Sequence, residues 1–225
     1  MKKLLIVSLI VFISASAVKA QGFRLNGYAL YTFDDKVDSY YSNTEYFDGK
    51  IKGGLTWGVG AEFLIKRDYG IELSYYRMDT EAPTTYYNLG VKTATLDVAL
   101  NWIMLGGVRY LRLQNPKVEP YFGGMLGVGI VDTKNPNNGN SDGATKFAWG
   151  LKGGINIWAS ERVGIKLQTN LMSMSQAIGG GVYFGTGGAG AGVNSYSSLL
   201  QFSIGGGLAF KLGTNGAAAP AKTVK

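Results

Sequence analysis

The sequence predicts an all-β protein, an eight-stranded antiparallel up-and-down transmembrane β-barrel. Apolar residues alternate with polar or small residues along eight separate stretches, and the links between these stretches are alternately short and long. A segment with the features of a secretory signal precedes them. Beyond Ala20 no apolar run reaches the length of about 20 residues that a membrane-spanning helix needs.

The first twenty residues predict a cleaved secretory signal. Two lysines precede an apolar run from Leu4 to Ile13, and Val18 and Ala20 place small side chains at positions −3 and −1 of the expected cleavage site. A membrane anchor helix, the alternative, would need about twice that apolar length. We therefore expect cleavage after residues 1–20, a barrel over residues 21–212 and a flexible periplasmic tail over residues 213–225.

The composition excludes several kinds of site. The chain has no Cys and no His, so it cannot form a disulfide framework, a Cys/His zinc site, a thiolate nucleophile or a Ser-His-Asp relay. The formal net charge of +7 falls to +4 when the three lysines of the signal segment are removed. Because that charge is small and spread along the chain, we expect no nucleic-acid partner. We also expect no cofactor.

Period-two alternation defines the strands. Between Leu55 and Lys66 the apolar residues fall mainly on odd positions, while Gly, Thr and Glu occupy even ones. This register suits a strand with two unlike faces and does not suit a helix. Seven more stretches repeat the pattern, at residues 23–33, 71–78, 93–111, 120–131, 149–157, 163–171 and 201–211.

The links between the predicted strands differ in length. Short turns are expected at residues 67–69, 112–119 and 159–162, and long links at residues 34–52, 79–92, 132–146 and 173–195. In an antiparallel meander every second link lies at the same end, so one end carries only short turns. We call this end the turn end and the opposite end the loop end. Transmembrane barrels have this asymmetry.

The apolar face is expected to meet lipid. The interior of an eight-stranded barrel is only just wide enough to be filled by side chains, and packing the strand tryptophans inside it would overfill it. A soluble barrel with an apolar ligand cavity, the alternative, would place many glycines on the outside. The residues expected to face lipid or to form an aromatic girdle are Trp57, Phe63, Trp102, Tyr110, Phe122, Trp149, Phe202 and Phe210.

Three stretches carry a family resemblance. They are KVEPYFGGMLGVGI at residues 117–130, GIELSYY at residues 70–76, and the last strand, which ends near Phe210. They resemble the small eight-stranded outer-membrane β-barrels of the OmpA/OmpX type over residues 22–212. The resemblance implies a bacterial outer-membrane location, with membrane lipid, lipopolysaccharide and the barrel-assembly machinery as partners. The family's chains usually end at the terminal aromatic, whereas residues 213–225 follow it here.

Charged residues of the polar face are expected to form an ion cluster in the lumen: Arg24, Glu62, Glu72, Arg109, Lys152 and Lys166. Glu62 and Glu72 lie at similar depth on neighbouring strands, and two carboxylates can serve as acid and base. We favour an ion cluster, because a buried charge without a partner is costly. Barrel hydrolases and acyltransferases of similar architecture rely on His, which this chain lacks, so we expect no enzyme.

Aromatic residues among Ser, Asn, Asp and Thr in the first two long links are candidates for a recognition surface or a girdle: Tyr40, Tyr41, Tyr46, Phe47, Tyr86 and Tyr87. The sequence thus predicts a non-enzymatic outer-membrane barrel with a structural or surface-recognition role, a side-chain-filled lumen and long extracellular loops that bind an extracellular ligand. The alternative is a narrow porin-like channel or a transporter of small apolar molecules. It applies if the glycines leave the lumen open.

Overall fold

The computed structural model describes residues 22–42, 45–66, 68–87, 91–136, 139, 141–174, 181–185, 188–192 and 199–212. The twelve strands within them are β1 (Phe23–Thr32), β2 (Asp35–Ser42), β3 (Glu45–Ile51), β4 (Gly54–Lys66), β5 (Tyr69–Tyr87), β6 (Val91–Tyr110), β7 (Val118–Lys134), β8 (Ser141–Trp158), β9 (Val163–Met174), β10 (Gly181–Gly185), β11 (Gly188–Gly192) and β12 (Leu199–Leu212). No described segment is a helix long and apolar enough to cross a membrane. The expected signal segment and the expected tail lie outside the described residues.

Eight of these strands form a closed antiparallel barrel: β1, β4, β5, β6, β7, β8, β9 and β12. Each pairs with the barrel strands that precede and follow it along the chain. β1 and β12 then pair with each other, from Phe23 opposite Leu212 to Thr32 opposite Ser203. The predicted fold class is confirmed. Closure gives the backbone N–H and C=O groups of the first and last strands partners, which an open edge in lipid would lack.

The first long link contains a hairpin. β2 and β3 pair with each other, and β3 also pairs with the loop end of β5, where Phe47 lies opposite Tyr86. The hairpin therefore extends the barrel wall beyond the ends of β1 and β4. β10 and β11, in the last long link, form a separate two-stranded sheet.

The second and third long links are mostly strand, so the expectation of long loops there is wrong. β5 and β6 stay paired as far as Tyr87 and Val91, and β7 and β8 stay paired as far as Lys134 and Ser141. Thr and Tyr, which favour extended backbone, are frequent in the second link, residues 79–92. Continued strand pairing also satisfies the backbone N–H and C=O groups of these segments, which would otherwise need other hydrogen-bond partners.

Strand β6 presents the face opposite to the one predicted. Trp102 and Tyr110 point into the lumen and are 0% and 2% exposed. Arg109 lies exposed on the outside, with its Cζ atom 4.5 Å from the centroid of the Tyr69 ring. The expectations that Trp102 and Tyr110 face lipid and that Arg109 lies in the lumen are therefore wrong.

The length of β6 explains the error. The strand has 20 residues, whereas about 9 to 11 residues span a bilayer. On its outer face Asp97 lies towards the loop end and Arg109 lies at the turn end, while the exposed Ile103 and Leu105 lie between them. Asn101, in the middle of the strand, is only 8% exposed and accepts a hydrogen bond from the Tyr75 hydroxyl. Inside the barrel, the register partner of Trp102 on β7 is a glycine, Gly129, so β7 places no side chain directly opposite the indole.

We predict that lipid-borne quenchers will separate the four tryptophans into two pairs. Four variants that each keep one tryptophan are refolded into bilayers that contain brominated lipid. Fluorescence of Trp57 and Trp149, which are exposed on the outer wall, should be strongly quenched, and that of the buried Trp102 and Trp158 should be quenched much less. Strong quenching of Trp102 would show that this side chain faces lipid, as the sequence analysis predicted.

Candidate functional site

The turn-end half of the lumen holds a charged network. We call it the ionic layer and define it as Arg24, Glu62, Glu72, Glu119, Lys152 and Lys166. The strand register places Arg24, Glu62 and Glu72 side by side on β1, β4 and β5. All six side chains point inward, and all but the half-buried Glu119 are buried. The layer is therefore a property of the closed barrel, because its members come from six different strands.

Glu72 is the centre of the ionic layer. It forms an ion pair with Lys152 of β8 and accepts a hydrogen bond from the Tyr28 hydroxyl. The Asn26 side-chain amide also donates to Glu72 Oε1 over 2.7 Å. A Cβ atom at Gly60 on the neighbouring strand would overlap the Glu72 carboxylate, so this glycine leaves the space that the carboxylate occupies.

Arg24 and Glu119 form a bidentate pair across the lumen. Arg24 Nη1 and Nη2 donate to Glu119 Oε2 and Oε1 over 2.9 Å and 3.0 Å. Asn156 Nδ2 donates to the same carboxylate over 3.0 Å. The planar guanidinium matches the two carboxylate oxygens, which is the strongest geometry for such a pair. This contact joins β1 to β7, which are not neighbours in the barrel wall.

Glu62 and Lys166 are stabilised by aromatic residues. The Tyr110 hydroxyl donates to Glu62 Oε1 over 2.6 Å. Lys166 Nζ lies 4.4 Å from the centroid of the Tyr121 ring and 5.5 Å from that of Tyr28. Among the described residues, no carboxylate lies within 4.0 Å of this ammonium group. The ring faces therefore provide its nearest compensating charge distribution.

Five of the six residues expected in the lumen cluster are brought together, and Arg109 is not. Glu119 was missed, although the alternation in its own strand carries the signal, since it lies two residues before the inward-facing Tyr121. Glu62 and Glu72 are both engaged by lumen donors, as expected for a structural ion cluster. Within the described residues no group of three or more acidic side chains is arranged to hold a metal ion.

The loop-end half of the lumen is largely apolar, with a few buried polar side chains such as Thr32, Thr56 and Ser203. We call it the apolar layer and define it as Leu30, Tyr76, Met78, Leu100, Trp102, Met104, Met125, Met172 and Met174, all of them buried. It contains every methionine of the chain except Met1. Glycines of the wall make room for them, because a Cβ atom at Gly129 would overlap Met174. The sequence analysis missed this layer, since it expected only polar and small residues inside.

The other residues expected to face lipid lie on the outer wall. Their side chains are between 36% and 53% exposed: Trp57, Phe63, Phe122, Trp149, Phe202 and Phe210. Their contact with lipid stays a prediction. They share the outer wall with many exposed Leu, Ile and Val side chains, so the outside of the barrel is predominantly apolar around its middle.

The aromatic recognition candidates lie in strands and not in loops. Tyr40 and Tyr41 belong to β2, Tyr46 and Phe47 to β3, and Tyr86 and Tyr87 to β5. The backbone register pairs Tyr40 with Tyr46 and Phe47 with Tyr86. Three adjacent strands therefore bring these positions to one region of the loop end.

Charged contacts fasten the first hairpin to the barrel rim. Asp34 forms an ion pair with Lys50 and accepts a hydrogen bond from the Gly53 amide over 2.6 Å, and these contacts lower the pKa of the Asp34 carboxyl. Lys52 pairs with Glu81 over 2.9 Å. A groove beside this rim is lined by charged residues, mostly acidic: Lys52, Asp79, Glu81, Asp97, Asp132 and Lys134.

Comparisons with known proteins identify the fold. No protein-family model and no curated protein matches this chain. Among solved structures, the chain is similar to Neisserial surface protein A (NspA), at 16% identity and a TM-score of 0.56, over 84% of this chain and 97% of that one. It is also similar to the outer membrane protein OprG from Pseudomonas aeruginosa, at 13% identity and a TM-score of 0.53, over 87% of this chain and 98% of that one.

A third similar structure is the outer membrane protease OmpT from Escherichia coli, at 6% identity and a TM-score of 0.49, over 86% of this chain and 98% of that one. Identities this low carry no information about activity. The chain has the fold of the small outer-membrane β-barrels, which confirms the fold part of the resemblance noted in the sequence.

We predict that Glu72→Gln will destabilise the barrel much more than Glu81→Gln. The first change leaves the buried Lys152 ammonium without its ion-pair partner, and breaking such a buried pair costs about 3 to 5 kcal/mol. The control removes an exposed pair with Lys52, which is worth at most about 1 kcal/mol. Urea titration of the protein folded in bilayers measures both. Equal losses would contradict the central position of Glu72.

Proposed function

We propose that this protein is a non-enzymatic integral outer-membrane barrel with a sealed lumen, which serves envelope integrity or surface recognition through its loop end. The observation that carries the proposal is the filling of the lumen at two levels. Arg24, Glu72 and Lys152 occupy the turn-end level, and Tyr76 and Trp102 occupy the loop-end level. Large side chains at both levels leave the barrel to act as a rigid support and not as a pore.

The outer-membrane location is part of the proposal. The signal-like segment at residues 1–20 supports export, and the apolar outer wall supports insertion in a membrane. Closed barrels and helices are the only structures that satisfy all their backbone groups inside a bilayer. The fold shared with NspA and OprG agrees with the outer membrane of a diderm bacterium.

The loop end supports the recognition role. β2 and β3 extend the wall there, and the charged groove beside the rim places carboxylates and lysines on an accessible surface. Tyrosine among small polar residues suits recognition because it combines apolar contact with a hydrogen-bonding group. The three adjacent strands that carry the six aromatic positions provide a firmer support than the loops that the sequence suggested.

A second candidate function is the passage of small apolar molecules. The methionines of the apolar layer favour it, because thioether side chains are unbranched and adapt to different shapes. It would require the apolar layer to rearrange. Vesicles that contain the folded protein would then take up a small apolar dye faster than empty vesicles, whereas a sealed barrel would leave the rate unchanged.

We predict that the wild-type protein gives no stepwise conductance in a planar bilayer. Removing a large side chain from only one level should leave the other level filled. Trp102→Ala and Lys166→Ala alone should therefore each give no conductance. The double variant should leak, because it removes a large side chain from both levels. Trp149→Ala on the outer wall combined with Lys166→Ala is the matched control, and heat-dependent gel mobility verifies that each variant is folded.

Steady steps from the wild type would favour the channel alternative and reject the sealed barrel. Lipase or protease turnover by the refolded wild type, lost in the Glu72→Gln variant, would reject the non-enzymatic part of the proposal.

A further inference from the structure

The turn-end mouth of the lumen holds donor groups that the ionic layer leaves unused. We call Arg24, Trp158 and Lys211 the mouth cluster. Arg24 and Lys211 lie opposite each other on the two strands that close the barrel. Lys211 Nζ lies 3.5 Å from the centroid of the Trp158 ring, and Arg24 Cζ lies 5.1 Å from it. The indole therefore holds two cations close to its ring.

Two N–H groups of the mouth cluster are buried without a hydrogen-bond partner among the described residues. They are Arg24 Nε and Trp158 Nε1. The side chains of Arg24 and Trp158 are 4% and 5% exposed, so bulk water does not cover these groups. Both terminal nitrogens of Arg24 already donate hydrogen bonds to Glu119. A buried donor without an acceptor is costly, so an acceptor bound at this position would stabilise the structure.

The turn-end lumen also carries an excess of positive charge. Its cations are Arg24, Lys152, Lys166 and Lys211, and its carboxylates are Glu62, Glu72 and Glu119. Each of these carboxylates already accepts hydrogen bonds from lumen side chains. Among the described residues, no carboxylate lies within 4.0 Å of Lys211 Nζ. Uncompensated charge at a half-buried position favours binding of a counterion.

We propose that the mouth cluster is a binding site for a small inorganic oxyanion of the phosphate class. Arg24 Nε and Trp158 Nε1 donate to the anion from inside the barrel, and the half-buried Lys211 supplies charge at the opening. Charge-assisted hydrogen bonds from fixed donors are the usual means of holding an oxyanion. Water can accept from the same N–H groups but does not balance the charge. The site is independent of whether the barrel conducts.

The test uses the mature full-length protein folded in a zwitterionic detergent. Inorganic phosphate is titrated at constant ionic strength, and binding is followed by isothermal titration calorimetry. The wild type should bind phosphate saturably. Trp158→Phe keeps an aromatic ring and removes the indole N–H. Lys211→Met keeps a long unbranched side chain and removes its charge. Each should weaken binding by about tenfold or more, as expected for the loss of a hydrogen bond to a charged group.

Trp149→Phe on the outer wall and Lys134→Met at the loop end are the matched controls and should bind like the wild type. A wild type without saturable phosphate binding overturns the site, and so does an equal loss in variants and controls. If Trp158→Phe does not fold by the heat-dependent gel shift, the wild-type titration and Lys211→Met still decide the outcome.

Discussion

The narrow interior of an eight-stranded barrel is the constraint on which the rest of this structure depends. Its lumen is about as wide as the side chains that fill it, so an inward residue must fit the residues across the lumen as well as its neighbours in the wall. Glycines in the wall provide space for large inward side chains at particular positions. Gly60 makes room for the Glu72 carboxylate, and Gly129 makes room for Met174.

The ionic layer connects parts of the wall that do not otherwise touch. The Arg24–Glu119 pair joins residues 95 apart in sequence, and the Lys152–Glu72 pair joins residues 80 apart. Because Arg24, Glu72 and Lys152 are buried, the loss of the partner of any of them leaves a buried charge whose desolvation is not compensated. These pairs therefore favour one register of β1, β5, β7 and β8 over slipped alternatives, which would separate the partners.

The two layers of the lumen divide the interior by chemistry. The charged side chains lie at the turn end, and the buried methionines, Leu100 and Trp102 lie at the loop end. The outer wall is arranged differently along its length, with apolar residues in the middle and charged residues such as Arg109 and Asp97 on either side. On the outer wall, the polarity of a residue therefore depends on how far it lies from the middle of the barrel. In the lumen, it depends on how far the residue lies from the turn-end mouth.

Alternation along the chain was sufficient to predict the eight barrel strands, the closed barrel and the inward position of Arg24, Glu62, Glu72, Lys152 and Lys166, but not the strands β2, β3, β10 and β11 of the long links. It failed for β6, where Trp102 and Ile103 are both apolar and composition does not distinguish the faces. The tertiary structure decides there, placing Trp102 in the lumen beside Gly129 of the neighbouring strand. The partners of each lumen charge were also beyond the sequence, since Glu119 reaches Arg24 only when the wall closes. Local pattern determines the side of the wall that a residue faces, and closure determines what it meets across the lumen.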